Sequence, residues 1–191
     1  MADSPWDMLS AVGTLAAVVV ALGVSFRAGH TSRQSENDRS ELAAAKMLSP
    51  LAALERKVSY LSAVVGFRCA GTADPEPIFL KCLEDLEGLS YSISMADLYT
   101  LLRLPNHSAK RASRALGLIQ TLIADARPIL KSQSWTVLDT SQSDHHYTRW
   151  SSMLDEIASL LIVAVRACED AASTGAPIPS REEIQGVPTD D

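Results

Sequence analysis

Four histidines, three cysteines and two runs of charge are the side chains in this 191-residue sequence whose chemistry could exceed packing. His145 and His146 open a helical segment beside Asp144, Tyr147 and Arg149. Imidazoles hold a metal only when several ligands converge on one ion. Neighbouring helical positions point about 100° apart, so a regular helix does not turn both rings to the same metal. They read as exposed residues near a helix start. Arg103 and His107 bracket an RLPNH turn, pairing a fixed cation with a general acid–base group. Pro105 interrupts that pair, and an ordinary proline turn accounts for the spacing. Cys69, Cys82 and Cys168 have no CxxC or metal-ligand spacing and, being odd in number, cannot all pair within the chain. They read as small hydrophobes in a core.

Lys110, Arg111 and Arg114 form a basic patch, and Glu84, Asp85 and Glu87 an acidic one. Both read as solvated faces that could oppose each other, with anionic lipid as an alternative partner for the cations. The sequence has no GxxxxGK[ST], HExxH, GxSxG or GxGxxG pattern. The expectation is therefore no catalytic, cofactor-binding or metal residue and no cofactor. With 17 Lys and Arg against 23 Asp and Glu, the formal charge of −6 argues against a nucleic-acid partner, whose phosphates need a cationic surface.

The elements that would position these groups begin with the strongest signal in the chain. Met8 to Phe26 reads MLSAVGTLAAVVVALGVSF, nineteen residues without a charge. As a helix this run is about 28 Å long, close to the hydrocarbon thickness of a bilayer. Ser4, Pro5 and Asp7 suit a helix N-terminus, and Trp6 suits the headgroup level. A cleaved leader would need a basic start and a small-x-small cleavage site, whereas Asp3 and Asp7 precede this run. A buried helix of a soluble domain would carry a polar stripe. The run reads as a transmembrane helix over 8–26. Cations fall only after it, at Arg27, Arg33, Arg39 and Lys46. The short 1–7 N-terminus is then outside and the C-terminal side cytoplasmic. Gly13, Ala17, Ala21 and Ser25 recur every four residues and form a small-residue face suited to helix association in lipid.

Residues 27–43 read as a polar juxtamembrane stalk or extended helix end, 44–175 as a cytoplasmic helical domain and 176–191 as a disordered acidic tail. From Ala44 the apolar residues Met47, Leu51, Leu54, Val58, Leu61 and Val65 alternate steps of three and four. That is the seam pattern of a coiled coil and a second association face. Pro50 should kink or break the helix, leaving a clean run from Pro50 to Arg68. Further helices are expected over Glu76–Leu89, Met95–Leu104 behind a Ser94 cap, His107–Ala126 ending before Pro128, and Asp144–Ser173 stopping at Gly175. No strand alternation occurs. The fold class is all-α: one N-terminal transmembrane helix followed by a helical bundle with a partly coiled-coil-like first helix.

The stretch WDMLSAVGTLAAVVVALGVSF with its basic, polar continuation resembles a large, loosely related set of uncharacterised bacterial single-pass inner-membrane proteins over about the first fifty residues. The resemblance implies an inner-membrane anchor with a cytoplasmic body and transfers no activity. Arg103 and His107 resemble, in residue type alone, the pair of helical-bundle ribonucleases of the HEPN type, which carry an arginine followed by a histidine. Here only three residues intervene and Pro105 is one of them. The leading expectation is a scaffold or interaction module whose partners are the lipid bilayer and a second copy or another protein. The rivals are a membrane-tethered enzyme such as that ribonuclease, and a membrane-perturbing stress or defence effector.

Overall fold

The computed structural model describes residues 5–69, 76–132, 135 and 140–185, leaving aside the side chains at 5–17, 68–69, 76, 140 and 182. Every regular element among them is helical. These are α1 (Pro5–Cys69), α2 (Glu76–Tyr91), α3 (Met95–Thr100), α4 (Ser108–Lys131), α5 (Thr140–Gly175) and α6 (Arg181–Gln185), with a 3-10 turn at Leu101–Arg103 after α3. The chain divides into two compact units, Met1–Arg39 and Ser40–Asp191. The expected domain start at 44 lies four residues inside the second.

α1 overrides one expectation: Pro50 stands inside the helix and does not interrupt it, and residues 27–43 are the extended helix end rather than a separate stalk. An interior proline costs roughly 3 kcal/mol through a lost hydrogen bond and a clash with the preceding turn. Met47 and Leu51, on either side of it, are buried to 3% and 0% exposure. Burying one such side chain contributes about 1.5–3 kcal/mol, so packing on both sides offsets the break. Pro128 is likewise absorbed by α4, which runs on to Lys131 because Leu130 is buried and Ile129 partly so.

Among residues with described side chains, no helix is long and apolar enough to cross a membrane. That description starts at Val18, so Met8–Ala17, the first half of the expected span, lies outside it together with Gly13 and Ala17. What is described of the rest is helical and open: Val18, Val20, Leu22, Val24 and Phe26 are 53–84% exposed. Ala21 and Ser25 are exposed as well.

In the Ser40–Asp191 unit the seam is the core. Ala44, Met47, Leu51, Leu54, Val58, Leu61 and Val65 are all buried and belong to one core cluster with side chains of α2, α3, α4 and α5. α4 packs on α2 and α5, and α3 packs on α4. Polar ties fix α1 to its neighbours: Lys46 Nζ to Asp97 at 3.0 Å, Lys57 Nζ to Asp85 at 2.7 Å, and Ser62 Oγ donating to Asp155 at 3.0 Å. α4 and α5 bury the expected faces, including Ala112, Ile119, Leu122, Trp150, Leu154, Ile157 and Leu161.

Local chemistry sets the remaining ends. Ser94 and Asp97 form a reciprocal capping box at the start of α3. The expected run to Leu104 stops early as an α-helix, because Leu104 precedes Pro105 and is extended at φ −66°, ψ 148°. α5 ends at Gly175 as expected, where the backbone passes so close to Glu41 that a Cβ would lie 2.5 Å from its Oε2. The 176–191 tail, expected to be disordered, contains α6. Ser180 and Glu183 cap it reciprocally, at 2.6 and 3.2 Å. Residues 186–191 lie outside the described residues.

Candidate functional site

Three places collect side chains with more than packing chemistry: the RLPNH turn, the start of α5, and a groove between α3 and α4. In the turn, Arg103 ends the 3-10 segment and His107 sits one residue before α4. Asn106 and His107 both have left-handed backbones, at φ 59° and 53°. Asparagine and histidine adopt such a conformation more readily than most residues, at a cost on the order of 1 kcal/mol or more each. The Ser108 hydroxyl donates to the Pro105 carbonyl and holds the turn shut. Arg103 and His107 thus lie on a reversed backbone and share no helix face.

At the start of α5 the two histidines part company. His145 is exposed, while His146 is half-buried with its ring between Trp135 at 5.9 Å and Trp150 at 5.7 Å. His146 therefore departs from the exposed position expected of it, and its Nδ1 is buried without a hydrogen-bond partner. Around it stand Phe79 from α2, stacked on Trp150 at 5.4 Å, and Tyr147, edge-on to Trp150 at 5.4 Å. The Trp150 Nε1–H donates to Asp125 of α4 at 2.9 Å, and Arg149 approaches the other carboxylate oxygen at 3.3 Å. This five-ring cluster fastens α5 to α2 and α4. Phe79, Tyr147 and Trp150 are completely buried. Sequence reading missed it because its rings come from three segments; the density of aromatics over 146–150 was the available signal. Among the described residues, no three metal-binding side chains converge.

The charged patches do not oppose each other. Asp85 is held by Lys57 of α1, whose hydrogen bond keeps its carboxyl below the usual range. Glu87 takes a two-pronged grip from Arg127 of α4, at 3.2 and 2.5 Å, with the same effect on its carboxyl. Arg114 turns to Glu156 of α5. Cys82 and Cys168 are buried free thiols. Burial pushes both up, Cys168 to about 11. That protonates the sulfur and removes its nucleophilicity. The side chain of Cys69 lies outside the described residues.

The groove between α3 and α4 has a volume of about 350 Å³. Met95, Tyr99 and Leu102 form its α3 side, and Lys110 and Arg114 its α4 rim. Met95, Tyr99 and Leu102 are all more than half exposed. Ligand cavities run from roughly 300 to 1,000 Å³, so this one is small and suits a few side chains. Lys110 and Arg114 stand out in the sequence as part of a basic patch, whereas the apolar wall does not, because Met95, Tyr99 and Leu102 sit in a segment whose pattern predicts one regular helix.

No protein-family model matches the chain, and no curated protein or solved structure matches it either.

Proposed function

We propose that the chain is a single-pass, membrane-anchored interaction module without catalytic chemistry of its own. The observation that carries this is α1. Over Val18–Phe26 it presents exposed apolar side chains, while over Ala44–Val65 it supplies the central face of a bundle. Apolar residues exposed around a helix favour a lipid environment. With the uncharged run from Met8 they make a bilayer-length segment. Arg27, Arg33 and Arg39 follow it, so the bundle stays on the cytoplasmic face of the inner membrane and the short N-terminus crosses.

The groups with chemical potential support a binding rather than a catalytic reading. The Cys82 and Cys168 thiols are held protonated, His146 is committed to an aromatic cluster, and Asp85 and Glu87 are engaged in ion pairs. The partners are then the bilayer and another protein surface. Alkaline extraction of membranes tests the anchor: the chain should stay in the pellet, and inserting two arginines at Val18 and Val19 should release it. Release of the unaltered chain would overturn the reading. Reporter fusions at each terminus test the orientation, with a cytoplasmic signal expected only at the C-terminus.

A further inference from the structure

Two apolar surfaces on this chain are exposed, and their surroundings carry opposite charge. Met95, Tyr99 and Leu102 are 60%, 68% and 52% exposed. They lie in 95–114, a stretch with four cations and one acid in a chain of net charge −6. That acid, Asp97, is held by Lys46, and among the cations Arg114 is held by Glu156, which leaves the exposed Lys110 as the charge on the groove's rim. The second surface is the start of the tail, where Ile178 is 94% and Ile184 71% exposed. Residues 176–191 carry four acids and one cation. The Ser180–Glu183 capping box fixes the turn that presents Ile184.

Both surfaces sit at the same end of the bundle. α5 ends against Glu41 and α3 is tied to Lys46, five residues and about 7.5 Å apart along α1. In the chain's own fold both the tail isoleucines and the groove's apolar wall stay exposed, so each is open to another molecule. We propose that the Ile178–Ile184 segment of a second copy docks in the α3–α4 groove. Its isoleucines meet Met95, Tyr99 and Leu102, and the net negative charge of the 176–191 tail lies beside Lys110. Because tail and groove are close on each copy, two chains can exchange tails reciprocally, which closes the assembly at a symmetric pair. This deepens the interaction-module reading by naming the partner and does not depend on the anchor.

The test uses the full chain in mild detergent, mixing isotopically heavy and light copies, with a photo-crosslinking residue at position 185 of the heavy one. The expected products join the heavy tail to light peptides from 95–114. Their yield should fall about tenfold with Lys110→Glu, the loss of one charge-assisted contact, and similarly with Ile184→Ser. Lys110 and Ile184 are both exposed, so neither change disturbs the fold. Crosslinks confined to a single copy, or yields unmoved by both variants, would overturn the proposal. A multimer crosslinked elsewhere, or a strictly monomeric particle, overturns the docking alone, whereas the interaction module falls only if the particle from native membranes holds neither a second copy nor another protein.

Discussion

Leu54→Ala separates the two uses a three-four apolar seam can have. Leu54 is completely buried within a single chain, as are Leu51, Val58, Leu61 and Val65. The substitution removes three carbons, about 2.4 kcal/mol at roughly 0.8 kcal/mol each. The cavity left in a close-packed core raises the total to as much as about 5 kcal/mol. Against a typical stability of roughly 5–15 kcal/mol this is a large fraction of the whole. Leu42 supplies the control: it lies on the same helix but is 75% exposed, so Leu42→Ala should change stability by less than about 0.5 kcal/mol. Guanidinium unfolding of the full chain in detergent, followed by tryptophan fluorescence in a Trp6→Phe background, reports the bundle through Trp135 and Trp150. In an Ile184→Ser background, which removes the tail contact, an intramolecular seam gives a midpoint independent of protein concentration and a loss of about 2–5 kcal/mol. A midpoint that rises with concentration, or a loss below about 1 kcal/mol, would refute the intramolecular reading.

Trp150→Phe should cost about 2–4 kcal/mol, since it deletes the hydrogen bond to Asp125 and leaves a cavity among the rings; Arg149→Ala, at an exposed partner of the same carboxylate, should cost less than about 1 kcal/mol in the same denaturation assay. Asp97 is held at about 2 by the Ser94 hydroxyl first and Lys46 second. A depressed carboxyl stabilises the fold above its unfolded value near 4, and that contribution is lost as pH falls toward 2. Asp97→Asn should therefore flatten the stability profile between about pH 5 and pH 2. In a Cys69→Ser background the folded chain should resist a thiol reagent at pH 8, because at Cys168 only about one sulfur in a thousand is thiolate; labelling within minutes would contradict its burial. Overexpressed His107→Ala should match the unaltered chain in its effect on growth, whereas relief of toxicity by that change alone would restore the ribonuclease alternative.

Helix identity was legible from the sequence because burial demands periodicity, and the periodic residues of α1, α4 and α5 are the buried ones. Helix ends were legible where a local device sets them, as at Ser94–Asp97 and Gly175. Prolines misled because their penalty is local while the compensation is tertiary: Pro50 and Pro128 are carried by the burial of Met47, Leu51 and Leu130. The capping box at Ser180–Glu183 was readable as a pattern, yet the three prolines of the tail pointed to disorder. The aromatic cluster was illegible for another reason. Phe79, Trp135 and Trp150 meet only after α2, α4 and α5 are packed, and spacing along the chain carries no trace of that.

The burial of the seam also redirects where self-association can occur. A spacing of three and four specifies that a helix face is covered; it does not specify whether the cover belongs to the same chain. Here the chain's own core cluster covers it, so Leu51, Leu54, Val58, Leu61 and Val65 offer no surface to a partner while the bundle is folded. A second copy must then use faces the fold leaves open. The small-residue face reaches the described residues at Ala21 and Ser25, both exposed, and the α3–α4 groove is open at its apolar wall. The two faces differ in what they need: small-residue packing needs the bilayer, whereas tail and groove need only water and low salt. Raising the salt to 1 M should weaken an assembly held by the tail and leave one held by the small-residue face intact. Salt sensitivity of the purified particle therefore assigns the contact before any residue is changed.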